Sequence, residues 1–471
     1  MKILFACSEC SPFAASGGLA DVAGSLPAAL QKEGAECRVI LPLYGSIGLQ
    51  WRSSMTFLTS FGVPLSWRVA HCGVFTLQHG GVQYYFLDNE QYFKREGGIY
   101  GYFDEAERFA FFSKAVLETL THIDYEPDVI HCNDWQTALI PVYLNVYYRS
   151  VPKLSEMHTV FTIHNIQYQG QFGLDVARDV CGLPDWAVGK VEFHGDLNMM
   201  KGALEECERI STVSPTYARE ILDSYFGHGL DEILRQKQWK LCGILNGIDT
   251  VGYNPAKDRA LAANFSLRKP EGKAVCKAAL QQQMHLPEQP DTPVLAMVSR
   301  LVSHKGFDLV RYAMEEMLRM GMQVVILGSG EQQYEDFFAE MQWRHPQQVA
   351  FTCGFKPELS RCIYAGADLF LMPSQSEPCG LSQMIALRYG AVPIVRSTGG
   401  LADSIIDWDT PGGGCGFTFQ SYNADDMLGA VRRAMGLYYS DYRSEMVPRA
   451  LKCDFSWRRS AKQYMAMYLG I

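Results

Sequence analysis

The chain has 471 residues, of which 48% are hydrophobic and 20% are charged, and its formal net charge is -9. This length exceeds what one hydrophobic core organises, so it predicts two to three globular domains. The negative balance argues against a general nucleic-acid binder, which needs a strongly basic face.

Apolar, β-rich runs alternate with helical patterns throughout the first half of the chain. The predicted strands are residues 2–7, 37–42, 82–87, 129–132, 159–164 and 210–213. This alternation is typical of βαβ units, and largely apolar strands indicate a parallel sheet that helices cover on both faces. We therefore predict an α/β, doubly wound, Rossmann-like domain over residues 1–254.

The same rhythm restarts after a proline-rich segment, residues 254–293, which has the composition of a linker and a helical patch at 274–284. The predicted strands of this half are residues 294–298, 323–327, 349–352, 369–372 and 391–395. They predict a second Rossmann-like domain over residues 255–450. Open sheets of this type bind ligands beyond the carboxyl ends of their strands, so two in tandem predict a deep cleft between domains.

One loop sequence occurs twice, as Ser16, Gly17 and Gly18 before residues 19–21, and as Thr398, Gly399 and Gly400 before residues 401–403. Each copy follows an apolar run and leads into a potential helix. Glycines let the backbone approach a ligand, and the first amides of a helix point at negative charge. Two ordinary strand-to-helix turns are the alternative, but the repetition favours two anion cradles.

Two cations follow the first strand of the second half. Arg300 and Lys305, with Gly306 beside them, suit a pyrophosphate, because arginine binds bidentately and lysine adds a compact charge. A solvated loop with two surface cations is the alternative.

Glu377 follows another strand of the second half and precedes a helix predicted to begin at about Cys379. The amides of Cys379, Gly380 and Leu381 would then be available to a ligand oxygen. A carboxylate is favoured near a helix N-terminus, so simple capping is the alternative.

Polar and aromatic side chains follow two strands of the first half. His131, Asp134 and Trp135 follow one strand, and His164 and Asn165 follow the next. A flat ring among amides and carboxylates suits a sugar. A histidine at a strand end is also a common structural hydrogen-bonding group.

Fourteen cysteines are scattered along the chain, and the one close pair, Cys7 and Cys10, lacks the further ligands of a zinc site. Scattered thiols fit a reducing compartment, and no apolar run approaches the ~20 residues of a membrane span. We expect a soluble, cytoplasmic protein that contacts neither membrane nor nucleic acid. The sequence also lacks the serine-elbow and zinc-helix motifs of hydrolases.

The ordered motifs resemble the bacterial glycogen synthase and plant starch synthase family along essentially the whole chain. They are residues 7–9, 17–22, 100–101, 108–110, 131–137, 162–166, 212–218, 244–249, 299–301, 305–306, 377–381, 398–401 and 455–457. The resemblance implies a GT-B fold, with a C-terminal helix in 451–471 packing back onto the first domain. It also implies retaining transfer of glucose from ADP-glucose to an α-1,4-glucan, with release of ADP.

The resemblance implies roles for particular residues. Those implied to be catalytic are His164, Arg300, Lys305 and Glu377. The nucleotide-sugar set comprises Arg300 and Lys305 with Ser16, Gly17, Gly18, Asp21, Asn246, Cys379, Gly380, Leu381, Thr398, Gly399 and Gly400. The acceptor set comprises Glu9, Tyr92, Asp134, Trp135 and Asn165. No metal or other cofactor is implied, because cationic side chains would neutralise the diphosphate.

Two positions depart from the patterns of related enzymes. Ala15 and Ser16 stand where the family usually has lysine and threonine, which removes a cation expected near the diphosphate. Ile385 stands where other glycosyltransferases carry a ribose-binding glutamate, a lack that starch synthases share. The alternatives are a UDP-glucose-dependent or small-acceptor enzyme of the same fold, and a weakly active glucan-binding paralogue.

Overall fold

The computed structural model describes residues 1–471, which form two compact units. The first domain comprises Met1–Gly247 and Trp457–Ile471, and the second comprises Ile248–Ser456. The predicted boundaries, 254/255 and 450/451, therefore each lie a few residues away from those of the structure. The reason is a backbone pairing, in which the amide of Ile248 donates to the carbonyl of Phe455 at 2.8 Å and ties both ends of the second domain together.

The first domain is built on a nine-stranded sheet in the order β12-β11-β7-β6-β1-β2-β5-β4-β3. Its strands are β1 (Lys2–Ala6), β2 (Glu36–Pro42), β3 (Thr56–Leu65), β4 (Arg68–His79), β5 (Val82–Asp88), β6 (Val129–Asn133), β7 (His158–Ile163), β11 (Arg209–Thr212) and β12 (Leu241–Gly243). The small strands β8 (Gln171–Gly173), β9 (Glu192–Phe193) and β10 (Asp196–Asn198) form a separate sheet. Strands β12 to β5 pair in parallel, as predicted for a doubly wound domain.

Helices connect these strands. They are α1 (Gly18–Lys32), α2 (Leu49–Arg52), α3 (Glu90–Phe93), α4 (Glu105–His122), α5 (Leu139–Tyr143), α6 (Asp175–Asp179), α7 (Asp185–Val188), α8 (Met199–Glu206), α9 (Pro215–Glu220) and α10 (Asp231–Gln236). Strand order reverses between β1 and β6, because the chain moves outward to β2 and β5 on one side and to β7 and β11 on the other. The loops that follow β1 and β6 therefore meet at the reversal point.

The antiparallel hairpin of β3 and β4 was not predicted from the sequence. Much of β3 is exposed, including Phe57 and Leu58, so the strand lacks the continuous apolar run of the buried strands. The hairpin forms the outer edge of the sheet by pairing β4 with β5. Sheet edges admit polar and exposed residues that central strands exclude.

The second domain contains a six-stranded, fully parallel sheet in the order β15-β14-β13-β16-β17-β18. Its strands are β13 (Val294–Val298), β14 (Gln323–Gly328), β15 (Val349–Cys353), β16 (Leu369–Met372), β17 (Val392–Arg396) and β18 (Phe417–Phe419). The first three strands run outward to one edge and the last three to the other, which is the Rossmann order. All eleven strands predicted for the two domains are present, with ends shifted by at most about one residue.

The helices of the second domain are α11 (Gly272–Gln283), α12 (Phe307–Arg319), α13 (Gln332–Arg344), α14 (Pro357–Gly366), α15 (Ser382–Arg388), α16 (Gly399–Ser404), α17 (Ala424–Tyr438) and α18 (Arg443–Lys452). Helices α12 and α17 bury apolar side chains such as Val310, Met314 and Val431 against the sheet. Helix α15 begins at Ser382 rather than at about Cys379, so residues 379–381 form a turn before the helix and not its first turn.

The last helix, α19 (Trp457–Leu469), belongs to the first domain and packs against α1. The buried hydroxyl of Tyr468 lies 2.6 Å from Nδ1 of His131 on β6, which anchors the helix to the sheet. No helix of the chain combines the length and the apolar character needed to cross a membrane.

Candidate functional site

Charged residues gather where strand order reverses in the second domain. The reversal lies between β13 and β16. Arg300 and Lys305 follow β13, while Glu377 follows β16, so these three residues share the edge of the sheet where ligands of Rossmann-like domains bind.

Lys305 and Glu377 form a closely held ion pair. The ammonium group of Lys305 donates to Oε1 of Glu377 at 2.9 Å and to Oε2 at 2.7 Å. The hydroxyl of Ser374 also donates to Oε2 at 2.9 Å. The side chains of Lys305 and Glu377 are only 18% and 7% exposed, so solvent screens the pair weakly. The structure thus brings together two of the predicted catalytic residues.

A glycine lets these two loops approach. Gly306 adopts φ +80°, a conformation that side chains rarely take, and a Cβ atom there would lie 2.1 Å from the carbonyl oxygen of Pro373. The loop that carries Lys305 can therefore lie directly against the loop that carries Glu377.

Arg300 is exposed at the end of β13, and its guanidinium makes no hydrogen bond or ion pair within the chain. A fork of five N–H donors in this position is suited to binding a phosphate bidentately. Burial and the charge of Lys305 lower the pKa of the nearby His304, which favours the neutral imidazole there.

The second Gly-Gly loop packs under the Glu377 turn. A Cβ atom on Gly399 would lie 2.0 Å from the carbonyl oxygen of Glu377, and one on Gly400 would lie 2.2 Å from that of Cys379. The amide of Gly400 donates to the carbonyls of Glu377 and Pro378, both at 3.1 Å. The prediction that this amide serves a ligand phosphate is therefore corrected, because the chain itself uses it to shape the turn. Thr398 precedes the loop and is buried.

Residues 379–381 complete that turn. Gly380 adopts φ +72°, and the amide group of Gln383 donates to the carbonyls of Cys379 and Gly380 at 3.1 and 3.0 Å. Leu381 lies immediately before α15. These contacts fix a turn at the place where the sequence predicts the start of the helix.

The corresponding reversal point of the first domain lies between β1 and β6. Glu9 follows β1, Asp134 follows β6, and His164 follows the neighbouring strand β7. Asp134 and His164 thus lie at one edge of this sheet, as their positions at the ends of two predicted strands indicated, and Glu9, named from the family resemblance, lies at the same edge.

The first Gly-Gly loop holds a carboxylate of the chain itself. Oε2 of Glu9 accepts from the amides of Ser16 at 2.5 Å and Gly17 at 3.0 Å. Ala15 to Gly18 are exposed, and α1 begins at Gly18 as predicted. Asp21 lies in the first turn of this helix, where a carboxylate is electrostatically favoured. The loop therefore binds an anion, but in this structure that anion is Glu9.

Asp134 occupies a constrained position with a perturbed acidity. Its φ of +55° is unusual for a non-glycine residue, and its Oδ1 accepts from the amides of His164 at 2.7 Å and Asn165 at 3.4 Å. Burial raises the pKa of Asp134 to about 7 against these favourable bonds, and the charge of Glu9 contributes to the rise. Such a shift is typical of functional carboxyl groups.

His164 and Asn165 contact this carboxyl group through their backbone amides, and Trp135 follows Asp134 in the chain. Nε2 of His164 donates to Oδ1 of Asn133 at 2.9 Å, and burial lowers the pKa of His164 to about 3, so its imidazole is neutral. The ring of Trp135 packs edge-on against Phe109, with centroids 5.2 Å apart. Asn165 is half-buried, and its Oδ1 accepts from the amide of Gln167.

Tyr92 lies apart from the Glu9 cluster, and the acceptor contact predicted for it stays a prediction. Its hydroxyl donates to Glu107, in a separate partly open cavity of about 370 Å³ that Arg68 also lines. The residue beside Glu9 is instead Tyr100, whose hydroxyl is hydrogen-bonded to Ser8 at 2.7 Å and whose pKa is raised by burial and by Glu9. Its motif at residues 100–101 was noticed in the sequence but was given no role.

Asn246 follows β12, and its Oδ1 is buried without a hydrogen-bond partner. A buried acceptor without a partner is costly unless a ligand or water supplies a donor, and the binding role given to Asn246 stays a prediction. Nowhere in the chain do three or more His, Cys, Asp or Glu side chains form a group that could hold a metal ion.

Comparison with known proteins agrees with this geometry. A starch synthase catalytic domain model matches residues 2–236, and a glycosyl transferases group 1 model matches residues 281–452. The chain is 49% identical to the glycogen synthase of Geobacillus thermodenitrificans over 472 aligned residues, covering 99% of this chain and 97% of that protein. The chain belongs to the glycogen and starch synthase family.

Other members of the family also align with this chain over nearly their whole length. The glycogen synthase of Clostridium novyi is 45% identical, with 100% of this chain and 99% of that protein covered. The catalytic domain of starch synthase IV from Arabidopsis thaliana, solved with ADP and acarbose, superimposes with a TM-score of 0.92 at 34% identity, covering 100% of this chain and 98% of the plant chain. The protein is therefore a glucosyltransferase with the two-domain GT-B fold.

Proposed function

We propose that the chain transfers glucose from ADP-glucose to the non-reducing end of an α-1,4-glucan, with retention of configuration and release of ADP. The observation that carries the proposal is the weakly exposed Lys305–Glu377 pair at the reversal point of the second domain, with Arg300 in the same loop as Lys305. The bacterial relatives named glycogen synthase, and the plant structure that contains ADP and acarbose, support this choice of donor and acceptor.

The second domain would hold the diphosphate. Arg300 offers a guanidinium that is not engaged within the chain, and Lys305 offers an ammonium group in a weakly screened position. Negative charge on the departing ADP grows in the transition state, so fixed cations there lower the barrier more than they stabilise the bound substrate. We propose that these side chains act without a metal ion or other cofactor.

Glu377 would bind hydroxyl groups of the transferred glucose and oppose the positive charge that develops at its anomeric carbon. Hydrogen bonds from Ser374 and Lys305 hold the carboxylate in one orientation for this task. We propose a front-face reaction, in which a leaving phosphate oxygen accepts the proton of the incoming 4-hydroxyl. A trapped glucosyl-enzyme adduct on any carboxylate would contradict this step.

The first domain would bind the acceptor glucan and contact the transferred glucose. Glu9, Asp134 and Asn165 supply hydrogen-bonding groups, and the ring of Trp135 supplies an apolar surface. Tyr100 joins this set in place of Tyr92, because its hydroxyl lies beside Glu9. His164 would contact the transferred glucose near its 6-hydroxyl.

The proposal is tested by incubating the purified chain with radiolabelled ADP-glucose or UDP-glucose and glycogen. We expect label in the polymer from ADP-glucose, and a thermal shift that is larger with ADP than with UDP or GDP. Incorporation of label from UDP-glucose alone would show that the donor is UDP-glucose and not ADP-glucose. Retention on a glycogen column without incorporation from either donor would favour a glucan-binding paralogue, for which the replacement of lysine by Ala15 is the motivating observation. We expect the protein to act in the cytoplasm, where nucleotide sugars are made.

A further inference from the structure

We propose that Asn133 is a positioning residue that fixes His164 in the tautomer with its proton on Nε2, so that Nδ1 accepts a hydrogen bond from a hydroxyl of the transferred sugar. The inference rests on the proposed function for the identity of the sugar, whereas the tautomer follows from the first domain alone.

The orientation of the Asn133 amide is set by its other contacts. Asn133 is fully buried at the end of β6, and its Nδ2 donates to the carbonyl of Ala6 at 3.0 Å and to that of His131 at 3.2 Å. A flipped amide would turn its oxygen towards two carbonyl oxygens and leave all three without a proton to share. The oxygen Oδ1 therefore has to face His164.

This orientation dictates where the proton of His164 lies. Oδ1 of Asn133 only accepts, so Nε2 of His164, 2.9 Å away, has to donate. Burial lowers the pKa of His164 to about 3, so the imidazole carries a single proton at neutral pH. With that proton on Nε2, Nδ1 presents a lone pair.

The one hydrogen bond that the His164 ring makes within the chain is at Nε2, and the residue is only half-buried. The backbone beside it is also held, because its amide donates to Oδ1 of Asp134 at 2.7 Å. His164 is thus held at its backbone amide and at Nε2 of its ring. Nδ1 is left to accept a hydrogen bond from a ligand.

The neighbouring histidine shows what a structural histidine looks like in the same sheet. Both ring nitrogens of His131 are engaged, Nδ1 with the hydroxyl of Tyr468 at 2.6 Å and Nε2 with that of Thr162 at 2.5 Å. His131 is fully buried. The sequence left both histidines open to a structural or a functional role, and the engaged nitrogens distinguish them.

The chemical consequence is a directional contact. An acceptor at Nδ1 requires the sugar hydroxyl to donate, and under the proposed function this is the hydroxyl on carbon 6 of the glucose. A donor sugar with fluorine at carbon 6 keeps an acceptor but has no proton to give. We therefore expect ADP-6-deoxy-6-fluoroglucose to be used as poorly as ADP-6-deoxyglucose, each about tenfold slower than ADP-glucose for the loss of one hydrogen bond.

The tautomer is measured by nitrogen NMR on the full-length chain labelled with [15N]histidine, with His164→Gln used to assign the His164 signals. We expect Nε2 protonated and Nδ1 unprotonated across pH 6 to 8. In Asn133→Leu, which has a similar volume and cannot accept, both signals should move towards those of a tautomer mixture. Tyr468→Phe is the matched control, because it removes a partner of His131 and should shift the His131 signals while leaving those of His164 in place.

Kinetics provide the second measurement. Asn133→Leu should lower kcat for ADP-glucose and reduce the preference over ADP-6-deoxyglucose, with a smaller effect on the KM for glycogen. A merely structural role would lower activity towards both donors equally and preserve the preference. Tyr468→Phe should also preserve it.

The outcomes separate this inference from the proposed function. A protonated Nδ1 in the wild-type chain, or a fluorinated donor used nearly as well as ADP-glucose, would overturn the inference while leaving glucosyl transfer intact. Absence of turnover with ADP-glucose would overturn the proposed function, whereas the NMR result would still decide the tautomer.

Discussion

The two Gly-Gly loops have nearly the same sequence but different surroundings. In the first domain Gly17 and Gly18 are exposed, and the amides of Ser16 and Gly17 donate to the carboxylate of Glu9. In the second domain Gly399 and Gly400 are buried against backbone carbonyls of the Glu377 turn. One glycine pair supports an anion at an open helix start, whereas the other permits close backbone packing.

The difference shows that one local sequence meets two physical requirements. Gly17 has an extended backbone, and a Cβ atom there would come no closer than 3.6 Å to Glu9. At Gly400 the same atom would collide with a carbonyl. The second loop therefore affects its site by shaping the turn that carries Glu377. The first loop affects its site by donating backbone hydrogen bonds to Glu9.

The largest expected effect tests the second site itself. Lys305→Ala or Glu377→Ala should lower kcat by about 100- to 1,000-fold, because each removes a fixed charge that the transition state needs. Glycogen affinity, measured on the unreacted protein, should change little. Lys356→Ala, an exposed lysine of the same domain, is the control. Equal losses in rate and glycogen affinity would contradict these roles.

The next test compares the glycines directly. Gly400→Ala should lower kcat by about 10- to 100-fold, because the new Cβ displaces the turn that positions Glu377. Gly17→Ala should have the melting temperature of the wild-type chain and most of its activity. Steady-state kinetics and thermal unfolding measure both variants. Equal sensitivity of the two positions would break the distinction between the loops.

A cation placed beside the first loop tests whether this loop lies near the diphosphate of the bound nucleotide. Ala15→Lys should tighten ADP binding by about tenfold, the value of one charge-assisted hydrogen bond to phosphate, and the gain should shrink at high salt. Ala15→Met is the control, because the methionine side chain is similar in length to lysine but carries no charge. Isothermal titration with ADP measures the affinities, and an unchanged value in Ala15→Lys would place the diphosphate away from this loop.

A smaller effect distinguishes the two tyrosines of the first domain. Tyr100→Phe should raise the KM for glycogen about fivefold, because it removes a hydroxyl beside Glu9. Tyr92→Phe should leave that KM unchanged, since its hydroxyl pairs with Glu107 in the separate cavity. The opposite result would restore the role that sequence reasoning gave to Tyr92.

The smallest expected effect concerns pH. The pKa of Asp134 is raised to about 7 in the folded chain, whereas an unfolded aspartate has a pKa of about 3.9, so between these values only the folded state keeps the proton. The stability contributed by this proton is present at low pH and is lost as pH rises towards 7. Asp134→Asn should therefore flatten the fall in unfolding midpoint between about pH 4 and about pH 7, and parallel curves would contradict the raised pKa.

The amino-acid sequence was sufficient to predict the two Rossmann-like domains and their parallel strands. Buried central strands require continuous apolar runs, and these runs fix strand positions to within a residue. Asp134, His164 and Arg300 could be singled out for the same reason, because parallel strands bring their carboxyl ends to one edge. Glu9 was named only from the family resemblance.

The partners that those side chains meet are visible only in the folded chain. The sequence could not tell that Glu9 fills the first loop, that the amide of Gly400 bonds to the Glu377 turn, or that Tyr100 rather than Tyr92 lies beside Glu9. It also missed the β3–β4 hairpin at the sheet edge. Local sequence patterns indicate which residues are buried and which backbone conformation they prefer. These contacts instead join residues that are distant in sequence, or they depend on the direction in which a single side chain points.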